Sequence, residues 1–266
     1  MNKQPIGIFD SGVGGLTVAH AIKQILPGES IVYFGDTAHL PYGDKSAEAI
    51  RSYSKRITEF LLEHDSKVVL IACNSASASA FDYLKKEFEN RTIIIDVIDP
   101  VVDYLRTRKF DKIGVIGTKR TISSGTYEKK IGETSPDVKV VSLATPLLVP
   151  MIEEGFIFDD ISNAIIRSYL SNDTLTGIQA LILGCTHYPI IKNQISKIFN
   201  FNVEVVDSAR IVSVILRDVM DKNNLLNDSG IVKDQFFISD YTPYFEKIAR
   251  MFFEGEINLK KADIWS

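Results

Sequence analysis

Cysteine is almost absent from this chain: Cys73 and Cys185 are the only two among 266 residues. They do not form a C-x-x-C pair, and two thiols alone do not complete a closed zinc site, so no metal centre is expected. Nor is a structural disulfide expected in a reducing compartment. Basic runs and low-complexity tracts are missing too. With 30 basic and 34 acidic residues and a net charge of −4, nothing electrostatic favours nucleic acid or an anionic membrane as a partner. No apolar run approaches the ~20 residues that span a bilayer. The opening Met-Asn-Lys-Gln-Pro leads straight into an apolar strand, without the features of a signal peptide. A cytoplasmic protein is the expectation. A phosphate-loop lysine and a G-x-G-x-x-G fingerprint are likewise lacking. The two cysteines are therefore either inert buried thiols or reactive ones.

What is present suits a globular chain: 45% hydrophobic and 24% charged residues, and enough length to bury a sizeable core. Short β-branched runs alternate with amphipathic stretches, which predicts an α/β fold with mainly parallel sheets. Strands are expected over Ile6–Phe9, Ile31–Phe34, Val68–Ile71, Ile93–Val97, Ile113–Ile116, Val138–Leu143, Ala180–Leu183 and Val203–Val206. Helical spacing fills the gaps, as in Leu16–Leu26, which stops at Pro27-Gly28.

The pattern is written twice. Gly7-Ile8-Phe9-Asp10-Ser11 resembles Gly114-Val115-Ile116-Gly117-Thr118, and Leu70-Ile71-Ala72-Cys73-Asn74-Ser75 resembles Ile182-Leu183-Gly184-Cys185-Thr186-His187, at offsets of 107 and 112. The second and fourth strands repeat at offsets of 107 and 110. This predicts two similar α/β domains related by a pseudo-twofold axis, one from 1–98 plus 208–266 and one from 99–207. Ligands of parallel sheets bind beyond the carboxyl ends of the strands. Each cysteine follows the third strand of its half, so the two thiols are expected to approach one cleft from opposite sides.

Five segments carry candidate chemistry. Asp10-Ser11-Gly12-Val13-Gly14-Gly15 runs from strand to helix; its glycines permit tight turning or close approach to a ligand, and its N–H groups suit a carboxylate. Asp10 is either a cap or a proton acceptor or ammonium partner. Pro41-Tyr42-Gly43 is either a plain turn or a carboxylate cradle built from the Tyr42 and Gly43 N–H groups. Cys73-Asn74-Ser75 opens a helix, where the dipole and nearby N–H groups favour a thiolate. In Cys185-Thr186-His187, the histidine stands two residues beyond a second strand-end thiol and is placed to donate or shuttle a proton. Glu153, after Pro150, is either a first-turn acid favoured by the helix dipole or a functional carboxylate. His20, His39 and His64 read as bland, His39 as solvated.

Two thiols on opposite sides of one cleft suit inversion of a stereocentre: a proton leaves one face and another returns to the opposite face. A free thiol titrates at ~8.5, and neighbours tune that value.

At these residues the sequence resembles the glutamate racemase family, within the aspartate/glutamate racemase superfamily. The matching strings are Asp10-Ser-Gly-Val-Gly-Gly-Leu16, Pro41-Tyr-Gly43, Ala72-Cys-Asn-Ser-Ala76, Val115-Ile-Gly-Thr118, Leu148-Val-Pro-Met-Ile-Glu153 and Leu183-Gly-Cys-Thr-His-Tyr-Pro189. The resemblance implies a homodimeric enzyme without pyridoxal phosphate, metal or other cofactor, supplying D-glutamate for peptidoglycan. It implies Cys73 and Cys185 as the acid/base pair, Asp10 assisting Cys73, and His187 with Glu153 assisting Cys185. Substrate contacts are implied for Asp10, Ser11, Pro41, Tyr42, Gly43, Asn74, Ser75, Thr118, Thr186 and His187. Members activated by a UDP-linked precursor carry an N-terminal extension that this chain lacks, so no such activation is expected. An aspartate or hydantoin racemase, a non-catalytic amino-acid-binding protein and a cysteine hydrolase are the competing readings.

Overall fold

A computed structural model of the chain describes residues 3–265. Two parallel sheets dominate it. The first half lays down β1 (Ile6–Asp10), α1 (Leu16–Ile25), β2 (Ile31–Gly35), α2 (Ala47–Glu63), β3 (Val68–Ile71), α3 (Asn74–Glu87) and β4 (Ile93–Ile95). After α4 (Asp99–Arg106) come β5 (Lys112–Gly117), α5 (Lys119–Ser123), α6 (Thr126–Thr134), β6 (Lys139–Ala144), α7 (Leu148–Glu153), α8 (Asp160–Leu170), β7 (Ala180–Gly184), α9 (Lys192–Ile198) and β8 (Glu204–Val206). The chain then returns through α10 (Ser208–Lys222), β9 (Gln235–Ile238), α11 (Pro243–Phe253) and β10 (Leu259–Lys261) to the first sheet.

The sheet orders are β10-β9-β2-β1-β3-β4 and β6-β5-β7-β8. Without β9 and β10, the first repeats the second strand for strand. Register makes the repeat residue-specific. Gly7 pairs with Val32 and Val69, and Gly114 pairs with Val141 and Leu181. The third strands therefore repeat at the expected 112 (Val69 to Leu181), but the second repeat at 109 (Val32 to Val141) rather than 107. The fourth repeat at 111 (Ile93 to Glu204) rather than 110. Apolar strands look alike under a slip of one or two residues, and only the ladder fixes the match. β9 and β10 were not expected at all: both are short, and β9 follows a polar loop.

Alternate side chains of each sheet face different cores, as the period of a strand requires. Phe9, Phe34, Val69 and Ile71 pack with α2 and α3 on one outer face, while Ile113, Val115 and Ile182 pack with α4 and α6 on another. Between the sheets, Ile6, Ile8, Leu70, Ile116, Leu181 and Leu183 join one continuous core with α1, α10 and α11. Each fully buried Ile or Leu side chain contributes ~1.5–3 kcal/mol of burial free energy, so this shared core holds the sheets in one arrangement. Their carboxyl ends meet at one cleft.

Candidate active site

A cavity of about 180 Å³ lies in that cleft, its walls taken from both sheets. Drug-sized pockets run from roughly 300 to 1,000 Å³, so this one suits a smaller ligand. Both cysteines, Cys73 and Cys185, line it, each only 6% exposed.

Cys73 caps the N-terminus of α3, and its thiol donates to Ser11 Oγ at 3.7 Å. The helix terminus alone favours a thiolate, yet the thiol is pushed up to about 12. Burial is the main cause and the Asp10 charge the next; the Ala76 N–H and Ser11 only partly oppose them. Burial thus outweighs the helix terminus at Cys73, and the protonated thiol is favoured.

Asp10 ends β1 and is fully buried. Burial raises its carboxyl above the ordinary range, against the opposing charge of His187 and the N–H groups of Gly15, Gly12 and Ser11. Gly12 N donates to Oδ2 at 3.1 Å. The loop amides expected to cradle a ligand therefore cradle Asp10 itself. Its glycines lack left-handed backbones, and Gly14 serves instead to let His187 approach.

On the opposite wall, His187 Nδ1 lies 3.7 Å from Cys185 Sγ and Nε2 lies 2.9 Å from Glu153 Oε1. Burial alone would lower the His187 imidazole, but hydrogen bonds and charge from Cys185 and Glu153 carry it up to about 10. At neutral pH it is an imidazolium, with one N–H on the carboxylate and one toward the sulfur. Glu153 is not a first-turn acid. It is the last residue of α7, where the helix dipole disfavours a negative charge, and His187 is what holds it.

The repeat does not place these two partners, Asp10 and His187, at equivalent positions. Asp36 N donates to Asp10 O at 3.0 Å and Thr145 N to Gly117 O at 2.9 Å, so Asp10 corresponds to Gly117. By the same ladder Ser75 corresponds to His187. One scaffold thus carries a carboxyl group beside its first thiol and an imidazolium beside its second, on non-equivalent strands.

The remaining candidates line the same cavity. Ser75 Oγ is 2.8 Å from Thr118 Oγ1 and 3.2 Å from Thr121 Oγ1, joining the halves through hydroxyls. Tyr127 OH donates to Asn74 Oδ1 at 2.7 Å, leaving Asn74 Nδ2 buried without a partner at the cavity wall. The 3-10 turn Tyr42–Asp44 uses Asp44 N and Lys45 N for its own bonds, which leaves the Tyr42 and Gly43 N–H groups at its open end. Thr186 O accepts from Thr17 Oγ1 at 2.9 Å.

Sequence reasoning missed Asp36. Fully buried, it accepts from Tyr42 OH at 2.7 Å and Ser239 Oγ at 2.9 Å and faces His39 Nδ1 at 3.0 Å. Its place at a strand end was the available signal. His39 is accordingly only partly solvated: it stacks on Tyr53, with ring centroids 4.1 Å apart. No cluster of three or more metal-ligating side chains occurs among the described residues, and no helix there is long and apolar enough to cross a membrane.

Two α/β domains with a cysteine from each lining one small cavity define the class: two-domain α/β proteins with a ligand cleft between parallel sheets. Residues 11–214 match the Asp/Glu/Hydantoin racemase family. Glutamate racemase of Chlorobaculum parvum is 40% identical over 255 residues, spanning 95% of this chain and 93% of that protein. A crystal structure of glutamate racemase from Francisella tularensis, in complex with D-glutamate, superposes with a TM-score of 0.93 at 38% identity, covering 100% of this chain and 99% of the other. The RacE1 isoform from Bacillus anthracis gives a TM-score of 0.93 at 35% identity, covering 99% and 98%. The chain belongs to the Asp/Glu/hydantoin racemase family, among its glutamate racemases.

Proposed function

We propose that this chain interconverts L- and D-glutamate without a cofactor, using Cys73 and Cys185 as two bases. One observation carries the reading: a cysteine from each half of a repeated scaffold lines one small cavity. In each direction one sulfur, as thiolate, takes the α-proton, and the electron pair stays on carbon, delocalised into the carboxylate. The other sulfur, as thiol, returns a proton to the opposite face. The buried protonated Cys73 supplies the acid for one direction; the His187–Glu153 pair places a positive charge beside Cys185 for the removal step. Asp10 and His187 act in opposite senses: the Asp10 charge holds Cys73 protonated, and His187 is the cation beside Cys185. Ser11, Pro41, Tyr42, Gly43, Asn74, Ser75, Thr118 and Thr186 surround the substrate, with the orphaned Asn74 Nδ2 and the free N–H groups of Tyr42 and Gly43 as carboxylate donors. In this reading 1–98 with 208–266 and 99–207 are the two domains, and the product is D-glutamate for peptidoglycan, made in the cytoplasm by a homodimer.

The test is solvent deuterium uptake at the α-carbon. Wild type incorporates deuterium from either enantiomer. Cys73→Ser and Cys185→Ser each lose racemisation by orders of magnitude. A Cys73→Ser variant with full activity would overturn the two-base mechanism and favour a Cys185–His187 hydrolase. Bound glutamate without exchange in the wild type would favour a binding protein, and inversion of aspartate but not glutamate would move the substrate.

A further inference from the structure

One ion pair crosses the mouth of the cavity. Lys119 Nζ lies 3.2 Å from Asp44 Oδ1, with the side chains 62% and 58% exposed. Lys119 follows Thr118 in the second half, whereas Asp44 closes the Tyr42–Asp44 turn in the first. Both residues line the cavity, and both also line an adjoining surface recess of about 400 Å³, together with Lys45 and Arg120. Three cations and one acid thus meet at this opening. Among the residues lining the cavity itself, Lys119 is the only lysine or arginine. The chain as a whole carries −4, so its mean field repels a dicarboxylate; the recess reverses that sign where the cavity opens.

We propose that this recess is the entry vestibule for the carboxylates of the substrate, and that Lys119 exchanges Asp44 for an incoming carboxylate and conducts it to the neighbouring Tyr42–Gly43 turn. The proposal rests on the racemase reading above. Exposed ion pairs contribute little to stability, so the Lys119–Asp44 contact opens readily and acts as a latch. Asp44 competes with the substrate for Lys119 and keeps the unoccupied mouth closed.

The two halves of the pair therefore have opposite roles, and this separates a vestibule from a simple staple between domains. Lys119→Met is expected to lower kcat/KM about tenfold, at the low end of what focused fields contribute to association. That loss falls mainly on KM, and the decline of kcat/KM with added salt flattens. Asp44→Asn is expected to raise kcat/KM, about twofold, by freeing Lys119. Lys119→Arg, which keeps the charge, retains most of the wild-type value. Calorimetric titration with glutarate gives a readout independent of turnover: binding weakens in Lys119→Met and tightens in Asp44→Asn. If both neutral variants shift kcat/KM and glutarate affinity in the same direction, the pair is a staple and the proposal is overturned. Wild-type salt dependence and affinity in Lys119→Met would overturn it as well. Glutarate binding that follows the expected order in a chain showing no α-proton exchange would uphold the vestibule while failing the racemase reading.

Discussion

Gly14 approaches His187 from across the domain boundary so closely that a Cβ added to it would lie 2.3 Å from His187 Cε1 and 2.5 Å from Nδ1. Nearby, Thr17 of α1 donates to Thr186 O, tying the same loop to the first half. The imidazole beside Cys185 is thus seated by the opposite domain, and the seat tolerates no side chain at position 14.

Gly14→Ala is therefore a catalytic lesion without being a conformational one, since Gly14 has no left-handed backbone to lose. The methyl group displaces the ring by about an ångström, and misplacement on that scale costs on the order of 10²-fold. A kcat loss of that size is expected, with the fold retained by circular dichroism. Gly28→Ala is the control: nothing lies within 4 Å of its added Cβ, and it should keep full activity. An active Gly14→Ala would show that His187 does not need its present seat.

Glu153→Gln removes a charge that helps hold His187 near 10. The imidazole then titrates lower, and the alkaline limit of activity moves to lower pH. Stability should follow the same linkage. The folded value lies above the ~6.5 of a free histidine, so the stabilisation is fully present below about pH 6.5 and is lost as pH rises through about 10. The melting temperature of Glu153→Gln should fall short of wild type more at about pH 6 than near pH 10. A deficit independent of pH would mean that Glu153 supports the fold by packing alone.

How much of this was legible beforehand differs by scale. Buried parallel strands read as apolar runs, so β1 to β8 and both strand-end cysteines are visible in the sequence. Interactions across the cleft are not. Gly14 reads as a turn residue until His187 is found against it, and the glycine-loop amides read as a ligand cradle until Asp10 is found inside them. Glu153 sits near Pro150, which suggests a helix start, but the helix begins two residues before the proline, at Leu148. Each of these depends on a partner over thirty residues away or on the carboxylate's own rotamer, and neither is encoded in local spacing.

Asp10→Asn tests the cause of the high Cys73 value. Burial is the larger contribution and the Asp10 charge the second, so the substitution should lower the thiol from about 12 without returning it to the ordinary value. In a Cys185→Ala background Cys73 is the only thiol. Its alkylation by iodoacetamide, followed by mass, should then be faster in Asp10→Asn than in Asp10 at every pH below that value. Equal rates would remove Asp10 from the electrostatics of Cys73.

Asp36 offers a test of how the Tyr42–Gly43 turn is held. Its carboxylate is fully buried and gathers Tyr42 OH, Ser239 Oγ and His39 Nδ1. Burial and the Asp36 charge push the Tyr42 phenol well above its ordinary value, so it remains a donor throughout the physiological range. Asp36→Asn replaces one acceptor oxygen with an NH₂ that faces donors. Each buried donor left unpaired costs ~1–3 kcal/mol, so a clear fall in melting temperature is expected. Function should split in a way that instability alone does not produce. The turn carries the N–H groups assigned to a substrate carboxylate and no proton-transfer group, so below the melting transition KM should rise several-fold while kcat changes less. Tyr42→Phe removes one donor and leaves Asp36 its other two partners; it should raise KM by a smaller factor. Loss of kcat at unchanged KM in Asp36→Asn would move this carboxylate from holding the turn to acting on the reacting atoms.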